Sequence, residues 1–576
     1  MNPFTGAAYV EKYFPSGLFL PFLFLVVAAV AQDTPSSSPS LSAPAASPSS
    51  AQQPPITELL AQGLQAYRTG KFDAAVEEYK TALQQDPKSG EAYAGLTRVY
   101  LKQEKIETAM ETANKGVSEA PDSPTAHTAL GEVYFRQGKM VESEGEFRKG
   151  VNTAHPEARA YLGLTRLYDA LSLHARARKM LEKAHALDTA DPEIQRHWMG
   201  TLSRSDRIRV LEEYLSKPTN DEKEDRESLQ RHLELLKARV KEPDKTCKLV
   251  TKPASIETDL TPIMYDPTHL EGYGLTVKIN GQSSRLLLDT GASGLLINRK
   301  MAERAGIKQL ASTKIGGLGD KGDSEGHLGY ADSIKIGSLE FQNCLVDIWE
   351  KRSVVGDDGL IGADFFSHYL VTLDFPHEKL SLQELPKRPE ETEKTAGLTT
   401  NKDEDDEDPA APPEPHDRYV APEMKSYTTV WRFGHFLLIP TTVGDVASKL
   451  FLIDTGSSRS SLSPEAAKEV RKIQESNAVI RGLSGSVKQV YETKDIALEF
   501  GRLRKENPDI KVFDLSKTSK YPGVEVSGIL GITALGFTSM RIDYRDGLVD
   551  FDYDKSHWRG ISLTDFSKGS KSSKPQ

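Results

Sequence analysis

Four short features occur twice, in the same order, in the C-terminal half of this chain, and any fold must accommodate both copies. The first is an apolar run ending in Asp-Thr-Gly: Leu286-Leu287-Leu288-Asp289-Thr290-Gly291-Ala292-Ser293, echoed at Phe451-Leu452-Ile453-Asp454-Thr455-Gly456-Ser457-Ser458. The second is Ile315-Gly316-Gly317-Leu318-Gly319, echoed at Ile480-Arg481-Gly482-Leu483-Ser484-Gly485. The third and fourth are Gly359-Leu360-Ile361-Gly362 with Gly528-Ile529-Leu530-Gly531, and Leu373-Asp374-Phe375 with Ile542-Asp543-Tyr544. The offsets are 454−289 and 482−317, both 165, then 528−359 and 543−374, both 169. The second copy therefore carries one four-residue insertion. Apolar runs of this length read as buried strands, and glycine permits a tight turn after each. Each Asp is thereby held at the end of a rigid element. Asp374 and Asp543 repeat a position in a strand and read as structural.

This order resembles the retropepsin-like and pepsin-like aspartic proteases, over about residues 270–385 and 419–553. The resemblance implies a two-lobed all-β region in which Asp289 and Asp454 form the catalytic pair. It also implies that Thr290 and Thr455 interlock the two loops and that Ser293 and Ser458 hydrogen-bond the carboxylates. Gly291 and Gly456 would keep backbone amides close to the Asp oxygens. The glycine-rich segments, with Gly316, Gly317 and Gly319 in one lobe and Gly482 and Gly485 in the other, would be flaps over substrate. Each lobe is short, so the expectation is two retropepsin-like units in tandem sharing one cleft. One departure is that no tyrosine lies between Gly316 and Gly326, where a pepsin-like flap carries one. The chemistry suits the pairing. Two adjacent carboxylates cannot both ionise, so one can take a proton from water while the other donates to a carbonyl.

The N-terminal half repeats on a different period. Segments begin at Thr57, Glu91, Thr125 and Arg159, each 34 residues after the last. Ala75, Ala109, Ser143 and Ala177 share a small-residue position, and Tyr67, Leu101 and Phe135 share another. This is the period of tetratricopeptide repeats, stacked helix pairs. Residues 56–191 are therefore read as four repeats, and 192–247 as capping helices and a connector. The resemblance implies a surface for a protein or peptide partner; the alternative is that the array only spaces or orients the β region.

The rest is punctuation. Residues 1–31 read as a signal peptide or N-terminal anchor, with an apolar run from Leu18 that ends Ala29-Val30-Ala31. Residues 32–55 are a Ser/Pro/Ala tether, 386–417 an acidic linker between lobes at 251–385 and 418–556, and 557–576 a polar tail. The formal net charge of −10 owes six charges to the run 403–408, and the near-balanced remainder gives no case for nucleic acid. The two cysteines, Cys247 and Cys344, exclude a disulfide-dense scaffold and leave one bridge or two buried thiols as alternatives. No metal-ligand spacing, phosphate loop or Gly-x-Ser-x-Gly occurs, so no cofactor is expected.

The expectation is a multidomain protein, an all-α repeat solenoid followed by an all-β two-lobed aspartic-protease-like region. Its expected activity is that of an endopeptidase acting on polypeptide, exported to a periplasm or the exterior, or membrane-tethered if residues 1–31 are retained. A monomer with an intrachain pair is favoured. The alternatives are a peptide-binding scaffold with inactive lobes, and an enzyme whose Asp pair forms between chains.

Overall fold

In the computed structural model the described residues are 54–241, 247–251, 253–267, 269–350, 358–389 and 415–553. The expected export segment, most of the tether, the body of the acidic linker and the polar tail lie outside them. Among the described residues no helix is long and apolar enough to cross a membrane.

Helices α1 (Ile56–Arg68), α2 (Phe72–Gln85), α3 (Gly90–Lys102), α4 (Ile106–Glu119), α5 (Pro124–Arg136), α6 (Met140–Val151), α7 (Ala158–Ala170) and α8 (His174–Leu187) form four antiparallel pairs. Odd-numbered helices start 34 residues apart, at 56, 90, 124 and 158. Ala75, Ala109, Ser143 and Ala177, at most 1% exposed, let the two helices of each pair approach closely. Ser89 and Ser123 cap α3 and α5 by accepting from the amides of Ala92 and Ala126. Helices α9 (Pro192–Met199), α10 (Arg204–Ser216) and α11 (Lys223–Val240) continue the stack.

One buried charge network runs through the odd-numbered helices. Arg98 pairs with Glu132 (2.9 Å) and Glu157 (3.2 Å), and Arg159 with Glu132 (2.7 Å), Asp191 (3.0 Å) and Glu193 (2.9 Å). Burial alone would lower the Arg159 pKa, but the facing carboxylates of Glu132, Glu193 and Asp191 hold it well above its usual value. Tyr67 in α1 donates to Glu193 in α9 across 126 residues (3.2 Å). Helices that far apart in sequence meet only on the inner side of a curled array. The Arg98, Glu132 and Arg159 side chains of this network are about one-tenth exposed.

The β region is built twice on one plan. In the first lobe, Gln282–Asp289 runs parallel to Gly359–Gly362, which is antiparallel to Leu295–Asn298, which in turn runs parallel to Leu339–Trp349. In the second, Val446–Ile453, Gly528–Leu530, Ser461–Leu462 and Leu503–Val512 repeat those directions. A sheet shared between lobes joins them. Tyr369–Asp374 of lobe 1 pairs antiparallel with Thr538–Asp543 of lobe 2, Val371 opposite Ile542. Val371, Leu373, Met540 and Ile542 are fully buried there. Both ends of the acidic linker return to one turn: Arg388 donates to the Asp546 carboxylate (2.8 Å), and so does the Tyr419 amide (2.9 Å).

The helical array is docked on the lobes. Phe135, Met140, Phe147 and Leu164 share one apolar cluster with Leu438, Leu450, Phe513 and Val524 of lobe 2. Helix α11 lies against strand Gln309–Ile315 of lobe 1, with Lys314 paired to Glu227 at 3.5 Å. Of the two cysteine alternatives, the bridge is the one observed. Cys247 is disulfide-bonded to Cys344 across 97 residues, tying the connector after α11 to lobe 1.

Candidate active site

The floor of the site follows from two apolar runs with nowhere else to go. Leu286, Leu287 and Leu288, and Phe451, Leu452 and Ile453, are at most 3% exposed. Their strands deliver Asp289 and Asp454 to the same point between the lobes. There the threonines cross. Thr290 Oγ1 donates to the Ile453 carbonyl (2.8 Å) and accepts from the Thr455 amide (3.0 Å). Thr455 Oγ1 donates to the Leu288 carbonyl (2.8 Å) and accepts from the Thr290 amide (3.0 Å). Both are 1% exposed or less, so all four bonds are shielded from water.

The glycines are required by the same crossing. A Cβ on Gly291 would stand 2.8 Å from Asp454 Cγ, and one on Gly456 would overlap the Asp289 carboxylate. Each loop thus presses its glycine under the other lobe's acid. The Gly291 amide donates to Asp289 Oδ1 (2.7 Å); the Gly456 and Ser457 amides donate to Asp454 Oδ1 (2.9 and 3.1 Å).

The two carboxyls are hydrogen-bonded to each other and differ electrostatically. Burial raises both. For Asp454 the charge and hydrogen bond of Asp289 push the same way, well above the carboxylate range. For Asp289, donors from Gly291, Asp454, Gly456 and Ala292 offset part of the burial. The two acids therefore titrate as a pair and share one proton.

Ser293 requires a correction. Its hydroxyl donates to Asp364 Oδ2 (2.8 Å), not to Asp289. The Gly294 amide donates to the other Asp364 oxygen (3.0 Å). In lobe 2 the matching residue, 364+169, is Thr533. It accepts from the Ser460 amide (3.1 Å) and donates its own amide to the Ser458 carbonyl (3.2 Å). The Ser293 hydroxyl and the Ser458 carbonyl thus brace the loops against the short helices Ala363–Phe366 and Ile532–Leu535. The sequence offers a signal for Asp364 and Thr533, since both are polar and both stand two residues after the Gly-x-x-Gly motif.

Gly316, Gly317 and Gly319 lie in the hairpin loop between Gln309–Ile315 and Ser324–Ile336; Gly482 and Gly485 form a small hairpin of their own. The two tips are bonded to each other. The Gly317 amide donates to Ser484 Oγ (3.1 Å), the Ser484 amide to the Leu318 carbonyl (3.0 Å) and the Lys321 amide to the Ser484 carbonyl (2.8 Å). Leu318 of lobe 1 packs into the lobe 2 cluster, and Leu483 of lobe 2 into the cluster of Leu287, Leu296 and Leu360. Beneath them runs a cleft of about 1700 Å³, lined by Asp289, Asp454, both tips and, from α11, Arg231 and His232.

Sequence reasoning also missed His435, at a hairpin tip of lobe 2. Its ring is bonded to the Gly291 backbone and stands 3.5 Å from Tyr521 Oη. Burial lowers its pKa, against the opposing pull of Asp364. Among the described residues no group of His, Cys, Asp and Glu side chains could hold a metal ion.

Comparison with known proteins agrees with this geometry. An aspartyl protease family profile matches residues 275–365 and again 439–534, and a tetratricopeptide repeat profile matches 66–133. DNA damage-inducible protein 1 of Neurospora crassa is 25% identical over 182 residues, 31% of this chain and 37% of that protein. Its namesake from Chaetomium globosum is 30% identical over 111 residues, 19% of this chain and 24% of that protein. The chain thus spans well under half the length of these relatives. Among solved structures, the aspartic proteinase of Irpex lacteus aligns over 52% of this chain and 98% of its own, at 13% identity and a TM-score of 0.32. A thermophilic tetratricopeptide repeat protein of Thermus thermophilus aligns over 32% of this chain and 98% of its own, at 19% identity and a TM-score of 0.25. The chain joins a tetratricopeptide-repeat array to two tandem lobes of the aspartyl protease type.

Proposed function

We propose that the protein is an exported aspartic endopeptidase whose catalytic pair, Asp289 and Asp454, forms within one chain. The observation that carries this reading is the buried carboxyl pair, brought together by the two Asp-Thr-Gly loops and clamped by crossed threonines. The ionised acid of the pair takes a proton from the attacking water. Its protonated partner donates to the scissile carbonyl oxygen as the tetrahedral adduct forms. The acid that took water's proton then passes it to the amide nitrogen as the C–N bond breaks, while the other takes a proton from the adduct's hydroxyl, so that the amine leaves and the pair regains a single shared proton. The flaps cover the adduct and exclude bulk water, which strengthens each of these hydrogen bonds.

Export is supported by the signal-like residues 1–31 and by the Cys247–Cys344 bridge, which is stable in an oxidising compartment. The substrate is an unfolded or extended polypeptide, since the cleft admits a strand-like segment beneath two hairpin tips. The odd-numbered helices are tied to one another by their own charge network, so the array's part is to orient the lobes and to meet a protein partner on its remaining surface.

The test is cleavage of an unstructured protein by residues 32–576 across pH ~3 to 8, the range in which such a pair titrates. A bell-shaped dependence of kcat/KM is expected. Folded protein with no cleavage at any pH would overturn the proposal.

A further inference from the structure

The two lobes differ most where one is longer. Val512 stands opposite Leu462 as Ile348 stands opposite Ile297. From there to the Gly-x-x-Gly strand is 528−512, or 16 residues, in lobe 2, but 359−348, or 11, in lobe 1. The extra length falls in segment 513–527, which carries the short helix Ser516–Lys520.

Three attachments tie this segment to the helical domain and to the flap. Val524 and Val526 sit in the apolar cluster that holds Phe135 and Met140, and the Glu525 amide donates to the Arg136 carbonyl (2.9 Å). Lys520 pairs with Glu222, the residue before α11 (2.7 Å). Both of those anchors are in the helical domain. The third is in the active site: Lys517 Nζ donates to the Gly319 carbonyl, at the tip of the lobe 1 flap (2.8 Å).

We propose that Lys517 is a positioning residue that holds the lobe 1 flap closed, and that through its segment the helical domain sets how readily the flap opens. The proposal rests on the protease reading of the cleft. Lifting the flap away from Asp289 and Asp454 draws on the bonds at its tip. Most of those bonds join two loops that can lift together, Gly317 with Ser484 and Lys321 with Ser484. The Lys517 bond differs because its donor is fixed to a packed core and to the repeat array. It anchors the flap to something that does not travel with it.

The test uses residues 32–576 with Lys517→Met, Lys517→Arg and Glu222→Gln, read by hydrogen exchange at residues 316–323 and by kcat and KM. A charge-assisted hydrogen bond at a half-buried site shifts an opening equilibrium by about tenfold. Lys517→Met should therefore speed flap exchange about tenfold and, by easing substrate entry, lower KM with little change in kcat, while Lys517→Arg restores both. Glu222→Gln, remote from the cleft, should speed flap exchange in the same direction by a smaller factor. Unchanged exchange at 316–323 in folded Lys517→Met overturns the proposal, as does an increase spread evenly over the molecule. Should the protein cleave nothing, the exchange result still decides the question, and only the assigned activity falls.

Discussion

The crossed threonines give a quantity that can be worked from the structure. In Thr455→Val the side chain keeps its shape and loses its hydroxyl. The Leu288 carbonyl loses its donor at 2.8 Å and the Thr290 amide loses its acceptor at 3.0 Å. Both groups stay buried, because Thr455 is 1% exposed and Thr290 is not exposed. Leaving a buried polar group unpaired costs about 1–3 kcal/mol, so the substitution, which strands two, should cost about 2–6 kcal/mol. Thr455→Ser keeps the hydroxyl and loses one methyl, a loss of about 1 kcal/mol. Urea unfolding followed by tryptophan fluorescence measures the difference, since Trp349 and Trp431 report from the two lobes. The Val variant should also lose most activity, because the same bonds fix the distance between Asp289 and Asp454. A Val variant within about 0.5 kcal/mol of wild type, the range of a neutral surface change, would show that the crossing does not hold the lobes.

Three further outcomes follow from other parts of the molecule. Removing the Cys247–Cys344 bridge with Cys344→Ala, or by reduction, should cost about 2–5 kcal/mol, since it closes a loop of 97 residues; thermal unfolding with and without reductant checks this. Asp543 is pushed up to about 6, first by burial and then by Asp546. Its folded pKa thus exceeds its unfolded one, so its contribution is full below about pH 4 and is lost as pH rises through 6. Asp543→Asn should flatten that slope and gain roughly 2–3 kcal/mol over wild type at pH 7, seen by denaturation at pH 4 and 7. Arg159→Met should cost about 3–5 kcal/mol by stranding Glu132, Asp191 and Glu193, measured as loss of helical circular dichroism on heating.

What the sequence showed and what it hid divide along physical lines. The 34-residue period is visible because close helix packing demands a small side chain at each of Ala75, Ala109, Ser143 and Ala177. The paired Asp-Thr-Gly loops are visible because each needs a buried strand before it and a glycine pressed under the opposite acid. Hydrogen-bond partners chosen by loop shape are not visible. The Ser293 hydroxyl reaches Asp364 because the turn after Gly291 aims it at the short helix Ala363–Phe366, and motif order says nothing of that direction. Some of what was missed left a trace: Arg98 and Glu132, and Arg159 and Glu193, are opposite charges 34 residues apart, the mark of a pair across adjacent repeats. The exchange of Leu318 and Leu483 between lobes also lay within the aligned motifs. Lys517 did not, because it falls in the stretch present in one lobe alone.

The central claim is that Asp289 and Asp454 of one chain share a proton and act as a unit. It is tested most directly by comparing kcat/KM for Asp289→Asn, Asp454→Asn and an equimolar mixture of the two. Asn keeps the shape and removes the charge or the shared proton. The account predicts that each variant is folded and inactive, and that the mixture is inactive too, because each pair is closed within its own chain. Activity remaining in either single variant would contradict the shared pair, and activity restored on mixing would contradict its formation within one chain.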